Sequence, residues 1–145
     1  MHTRRAFLAG LAAGAVASFA LGPGRAFAAQ PTVELIALPH WPVQDALKPV
    51  RAYLATLDGR VRVVEQNAES PEGEKRLASL GLKGHIPIVL VIDGSFRFKR
   101  QDGSTVEFKD FPAKAANPLG LNGKWTVSDF QEQVAATLAK QEKRP

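Results

Sequence analysis

The chain of 145 residues contains no cysteine at all and a single methionine. Without a thiolate there is no nucleophile for disulfide exchange and no thiolate ligand for a metal, and no disulfide can brace the fold. A cysteine-free chain must therefore hold together through its apolar core and through local agreement of turns and caps. Long hydrophobic runs are missing too. The one candidate, from Ala9 to Leu21, is broken by Gly22-Pro23-Gly24-Arg25 before it reaches the roughly 20 residues a membrane-spanning helix needs. Also absent are Gly-x-Ser-x-Gly, a phosphate loop and His-Glu-x-x-His, so no nucleophile with an oriented base can be named and no catalytic residue is assigned.

What the N-terminus does contain is a targeting pattern. Thr3-Arg4-Arg5-Ala6-Phe7-Leu8 is a twin-arginine run, followed by the mildly apolar stretch and the small-residue site Ala26-Phe27-Ala28. The expectation is a twin-arginine signal over residues 1–28, a single domain over residues 29–145, and a periplasmic or secreted location with no stable membrane insertion after cleavage. Cleavage would remove Arg4, Arg5 and Arg25 and lower the formal net charge from +5 to about +2. That small excess does not support a nucleic-acid partner, and the densest basic cluster, Arg97-Phe98-Lys99-Arg100, alternates like a strand with one wet face.

The hydrophobic period then switches in order along the domain. Val33 to Leu38 is a nearly continuous apolar run, the pattern of a strand buried on both faces. Leu47, Val50, Leu54 and Leu57 predict a helix from Gln44 to Leu57, with Pro49 bending it. A strand from Arg60 to Glu65 follows. Ser70-Pro71-Glu72-Gly73-Glu74 supplies a cap, a proline at the first helical position and first-turn acids for a helix ending at Gly81. Ile88 to Ile92 reads as another buried strand. Asp93-Gly94 and Asp102-Gly103 then predict hairpins joining it to segments from Ser95 to Lys99 and from Thr105 to Lys109. The 15 residues from Asp110 to Lys124 have no clear period, and their apolar members Phe111, Leu119 and Leu121 could pack over the sheet or form a docking edge. Trp125 is expected to seal the core. A Ser128-Asp129-Phe130-Gln131 capping pattern precedes a last helix with Phe130, Val134 and Leu138 as its stripe.

This βαβαββα order with an extra hairpin strand predicts an α/β protein with a mixed sheet flanked by helices, and it resembles the thioredoxin fold over roughly residues 32–140. Two local patterns carry the resemblance. Pro49 lies five residues after Gln44, where family members have a proline five after their second active-site cysteine. Gly84-His85-Ile86-Pro87 leads into a strand, as the family's cis-proline loop does. In that register Trp41 and Gln44 stand where the two cysteines would be, so the resemblance implies the surface without the redox chemistry. It also implies a cis bond before Pro87 that would free backbone groups for an extended peptide.

Three readings follow. The first is a redox-inactive accessory protein that binds a periplasmic peptide or protein through His40, Trp41, Pro42, Gln44, Ile86 and Pro87, with Trp41 as anchor. The second is a copper- or zinc-binding or delivery protein using His40 and His85, with Asp45 and Glu69 as further candidate ligands by chain order; no other cofactor is implied. The third is a thiol-independent enzyme, such as a transferase or peroxidase relative.

Overall fold

The computed structural model describes residues 29–115, 120 and 122–144. The expected signal segment, and Leu119 and Leu121, lie outside the described residues. The elements in chain order are β1 (Thr32–Ala37), α1 (Trp41–Ala46), α2 (Lys48–Thr56), β2 (Arg62–Asn67), α3 (Pro71–Ser79), β3 (Ile88–Ile92), β4 (Arg97–Lys99), β5 (Thr105–Glu107) and α4 (Val127–Glu142). The fold is α/β, with a mixed sheet in the order β2-β1-β3. β1 runs parallel to β2 and antiparallel to β3.

The two central strands are the apolar ones for a physical reason. Every residue of β3 is buried, and β1 lies between two neighbours with helices over both faces, so both sides of each strand need apolar cover. Alternation along the strands sorts the helices. Glu34, on one face of β1, is gripped by Arg76 of α3 through two hydrogen bonds of 2.6 and 2.8 Å. Glu65, in register with Leu35 of the other face, is held by Arg51 of α2.

The predicted helix from Gln44 to Leu57 is two helices. It starts earlier, at Trp41, and breaks at Leu47, which caps both pieces. Pro49 is the cause. A proline in the first turn of α2 has no N–H to continue the ladder of α1, and the chain restarts where that loss costs nothing. β2 lies two residues later than predicted, at Arg62–Asn67, because its ladder begins with the Arg62 N–H donating to Pro31 O at 2.8 Å.

The Asp93-Gly94 turn behaves as read, with φ of 46° and 83° and reciprocal bonds between Ile92 and Ser95 of 2.8 and 3.1 Å. Asp102-Gly103 makes a wider loop, in which only Gly103 has positive φ and the Asp102 carboxylate accepts from the backbone and hydroxyl of Ser104. β4 and β5 pair with each other, and the chain just after β5 joins the main sheet. Leu90 N–H donates to Phe108 O at 2.9 Å and Asp110 N–H to Ile88 O at 2.8 Å. Phe108, Trp125 and Phe130 form an edge-to-face cluster under α4. Trp125 is fully buried, as expected, and its indole N–H is shared between the carbonyls of Lys109 and Asp110 at 3.1 and 3.2 Å. Phe111 is fully buried too. The ends of the long loop are pinned by bonds of 2.7 Å from Gly123 N–H to Phe111 O and from Ala113 N–H to Trp125 O.

The last helix is capped by Thr126, two residues before the predicted Ser128. The Thr126 hydroxyl accepts from Asp129 N–H at 3.1 Å while the Asp129 carboxylate accepts from Thr126 N–H at 2.9 Å. Asp129 wins over Gln131 as the box acid because Arg100 also grips it, at 2.8 and 3.1 Å. Hydrogen bonding to Arg100, then to Thr126, holds its carboxyl below the usual carboxylate range. With its folded value depressed, Asp129 contributes stability that is fully present above the unfolded value of about 3.9 and is lost as pH falls through the lower folded value. Asp129→Ala, at a side chain only 15 % exposed, is expected to cost about 2 kcal/mol at neutral pH. Urea melts at pH 7 and pH 3 check this, since the difference between variant and parent should shrink at the lower pH.

Candidate functional site

The segment leading into α1 and the loop ahead of β3 meet at one end of the sheet. Leu38 N–H donates to Pro87 O at 3.0 Å, which extends the β1–β3 pairing by one rung and sets the His40–Gln44 turn beside Ile86 and Pro87. The sequence-predicted residues are therefore brought to one rim, but their side chains do different things. Trp41, the first residue of α1, is 75 % exposed. Val43, two residues on, is buried and anchors the helix, so a six-residue helix with one inward side leaves its first ring in water. Pro42 is half-buried and fixes the first turn.

Gln44 is committed to the framework. Its amide donates to Leu38 O at 2.8 Å and its Oε1 accepts from Arg51 at 2.8 Å. Arg51 in turn holds Glu65 through two bonds of 2.9 Å, so one chain of contacts ties α1, α2 and β2. The Glu65 carboxylate raises the Arg51 guanidinium pKa, mainly through its hydrogen bond. Sequence reasoning did not find this network. The seven-residue spacing of Gln44 and Arg51, two turns of the single helix that the sequence predicts, is the signal that would have placed them on one face.

On the other side of the rim lies a cavity of about 350 Å³ between α3 and the loop before β3, with Leu77, Leu82 and Ile86 as apolar lining and Glu69, Lys83 and His85 among its polar groups. His40 caps α1 without a side-chain bond to it, and its Nε2 lies 3.3 Å from Glu69 Oε1. Glu69 thus links His40 to the cavity that His85 lines. Asp45 is turned away onto Lys48. Among the described residues no three or more histidines, aspartates or glutamates are grouped so as to hold a metal ion. His40 and His85 are consequently two rim residues sharing a neighbour, and the donor set a closed metal site requires is not assembled around them.

The cis bond implied for Pro87 is a correction. The described residues contain no cis peptide bond, so Ile86–Pro87 is trans. The loop reverses instead at Gly84, whose φ of 91° is open only to a residue without a Cβ at low cost. Pro87 itself is buried and its carbonyl is used by Leu38, so it serves as framework, while Ile86 remains half-buried and reaches the cavity.

Among the described residues no helix is long and apolar enough to cross a membrane. In comparisons with protein-family models, curated proteins and solved structures, nothing matches this chain.

Proposed function

We propose that the protein is a redox-inactive, thioredoxin-like binding or accessory protein that takes an extended peptide or a partner protein at the rim formed by His40, Trp41, Pro42 and Ile86. Export through the N-terminal twin-arginine segment is part of this reading. The sheet order β2-β1-β3, with one parallel and one antiparallel pair, supports the thioredoxin-like assignment. The observation that carries the binding role is Trp41, 75 % exposed at the start of α1 in a chain whose other tryptophan is fully buried. Tryptophan is enriched among the residues that anchor interfaces. Gln44 and Pro87 contribute by holding the two walls in place.

The two tryptophans give the test directly, because only Trp41 can change its surroundings when a ligand docks. Titration with a library of extended peptides should produce a blue shift in emission from Trp41 that is absent in Trp41→Phe. Affinity should fall about tenfold or more in Trp41→Ala, with an unchanged urea midpoint. Peptides that bind Trp41→Ala as well as the parent would refute the site.

A further inference from the structure

The open strand edges of the fold are treated differently. β4, on the outer side of the β4–β5 pair, is three residues long and presents exposed Arg97 and Lys99, the usual means of keeping other strands away. β2, at an edge of the main sheet, is six residues long, has no proline, and exposes Val63 to 43 %. Among the described residues no strand pairs with its outer side. The backbone shows which groups are left over. Arg62 N–H donates to Pro31 O and Ala68 N–H to Ala37 O, at 2.8 and 2.9 Å, so the even-numbered residues of β2 turn their backbone groups toward β1. Val63 and Glu65 therefore turn theirs outward. Asn67 does not extend the free edge, since its carbonyl already accepts from the backbone N–H and hydroxyl of Ser70 at 3.1 and 2.8 Å.

We propose that this edge pairs with β2 of a second copy of the chain, antiparallel, about a two-fold axis at Val64. That register is the one in which Val63 of each copy exchanges both backbone bonds with Glu65 of the other, using only groups that are free. Shifting it one way would set Glu65 against Glu65 and call on the occupied Asn67 carbonyl. Shifting it the other way would draw in buried Val61.

Side chains are compatible with the same register. With the axis at Val64, the exposed Arg62 of each copy lies directly opposite the uncharged Gln66 of the other. Val64 meets Val64, and Glu65 keeps its Arg51 while facing Val63. No like charges meet, and each β2 carries one cation and one anion, so the edge is complementary to itself. The product is one sheet running continuously through both copies, with isologous symmetry.

The absence of cysteine makes the register directly testable. Across the axis the Val64 pair is a non-hydrogen-bonded one with Cα atoms about 4.5 Å apart, within the span a disulfide bridges. Two Arg62 residues, each opposite Gln66, would be offset by four residues, about 13 Å along the strand. Under mild oxidation Val64→Cys should yield a covalent dimer and Arg62→Cys should stay monomeric, while the parent protein sediments as a dimer at about 100 µM. A monomeric parent at that concentration, or equal crosslinking of the two variants, overturns the proposal. Neither result touches the Trp41 rim, which lies on a different part of the fold.

Discussion

Phe108→Ala is expected to lower the unfolding free energy by about 3–5 kcal/mol, the usual cost of emptying a fully buried aromatic site. The ring is inaccessible to solvent and touches three others, Phe98, Trp125 and Phe130, at centroid distances of 5.7, 5.9 and 5.6 Å. It sits where the hairpin strands, the end of the long loop and α4 converge, so no single neighbour can relax into the space. Its backbone also joins β3 to the segment before β4, through bonds of 2.9 Å to Leu90 and 2.8 Å to Phe96. Those bonds survive truncation, so the variant should keep its strand pairing and lose packing. Urea denaturation followed by Trp125 emission is the direct measurement, with Trp41→Phe as background so that the buried ring alone reports. A loss below about 1 kcal/mol, the scale of ordinary surface changes, would mean the cluster is not the joint between sheet and last helix.

The order of elements was legible because it rests on local signals that nothing distant opposes. The all-apolar run at β3, the Ser70 cap and the Asp93-Gly94 turn each state their geometry within a few residues. The displaced boundaries are where two local signals competed and a distant residue chose. Thr126 and Ser128 both offered a cap, and Arg100, from the other side of the β4–β5 hairpin, settled it by binding Asp129. Pro49 was visible, but whether it bends a helix or splits it depends on how α1 and α2 pack.

The site was legible only in part, for the same reason. Chain order brought His40, Trp41, Ile86 and Pro87 to one rim, because a βαβ unit followed by an antiparallel strand fixes which loops are neighbours. Side-chain direction was not fixed by it. Gln44 stands at a position the sequence offered to a partner, yet Leu38 and Arg51 use both ends of its amide. Glu65 and Arg51 are surface-type residues whose pairing spans 14 positions, and no period or motif marks such a contact.

Gly73→Ala is expected to destabilise the protein by about 3 kcal/mol, at the upper end of overpacking costs, although the same change inside most helices is favourable by about 1 kcal/mol. The sign is what makes it diagnostic. Gly73 is buried in the first turn of α3, and a Cβ there would stand 2.0 Å from Asn67 O, 2.9 Å from Asn67 C and 3.1 Å from Ala68 Cα. All three are backbone atoms at the end of β2, so no rotamer change relieves the contact and the helix must move off the strand. That movement would strain the bonds from Ser70 to Asn67 O and the cap from Gly73 N–H to Ser70 at 3.1 Å. Gly103→Ala is the matched comparison. It meets no atom within 4 Å but has a φ of 84°, so it should cost only the left-handed strain, about 1–2 kcal/mol. If Gly73→Ala melts at or above the parent in urea, the close approach of α3 to β2 is wrong, and so is this placement of the cavity wall that Leu77 provides. If it melts well below Gly103→Ala, the requirement for glycine comes from packing at the helix start, where the sequence pattern alone offered only a cap.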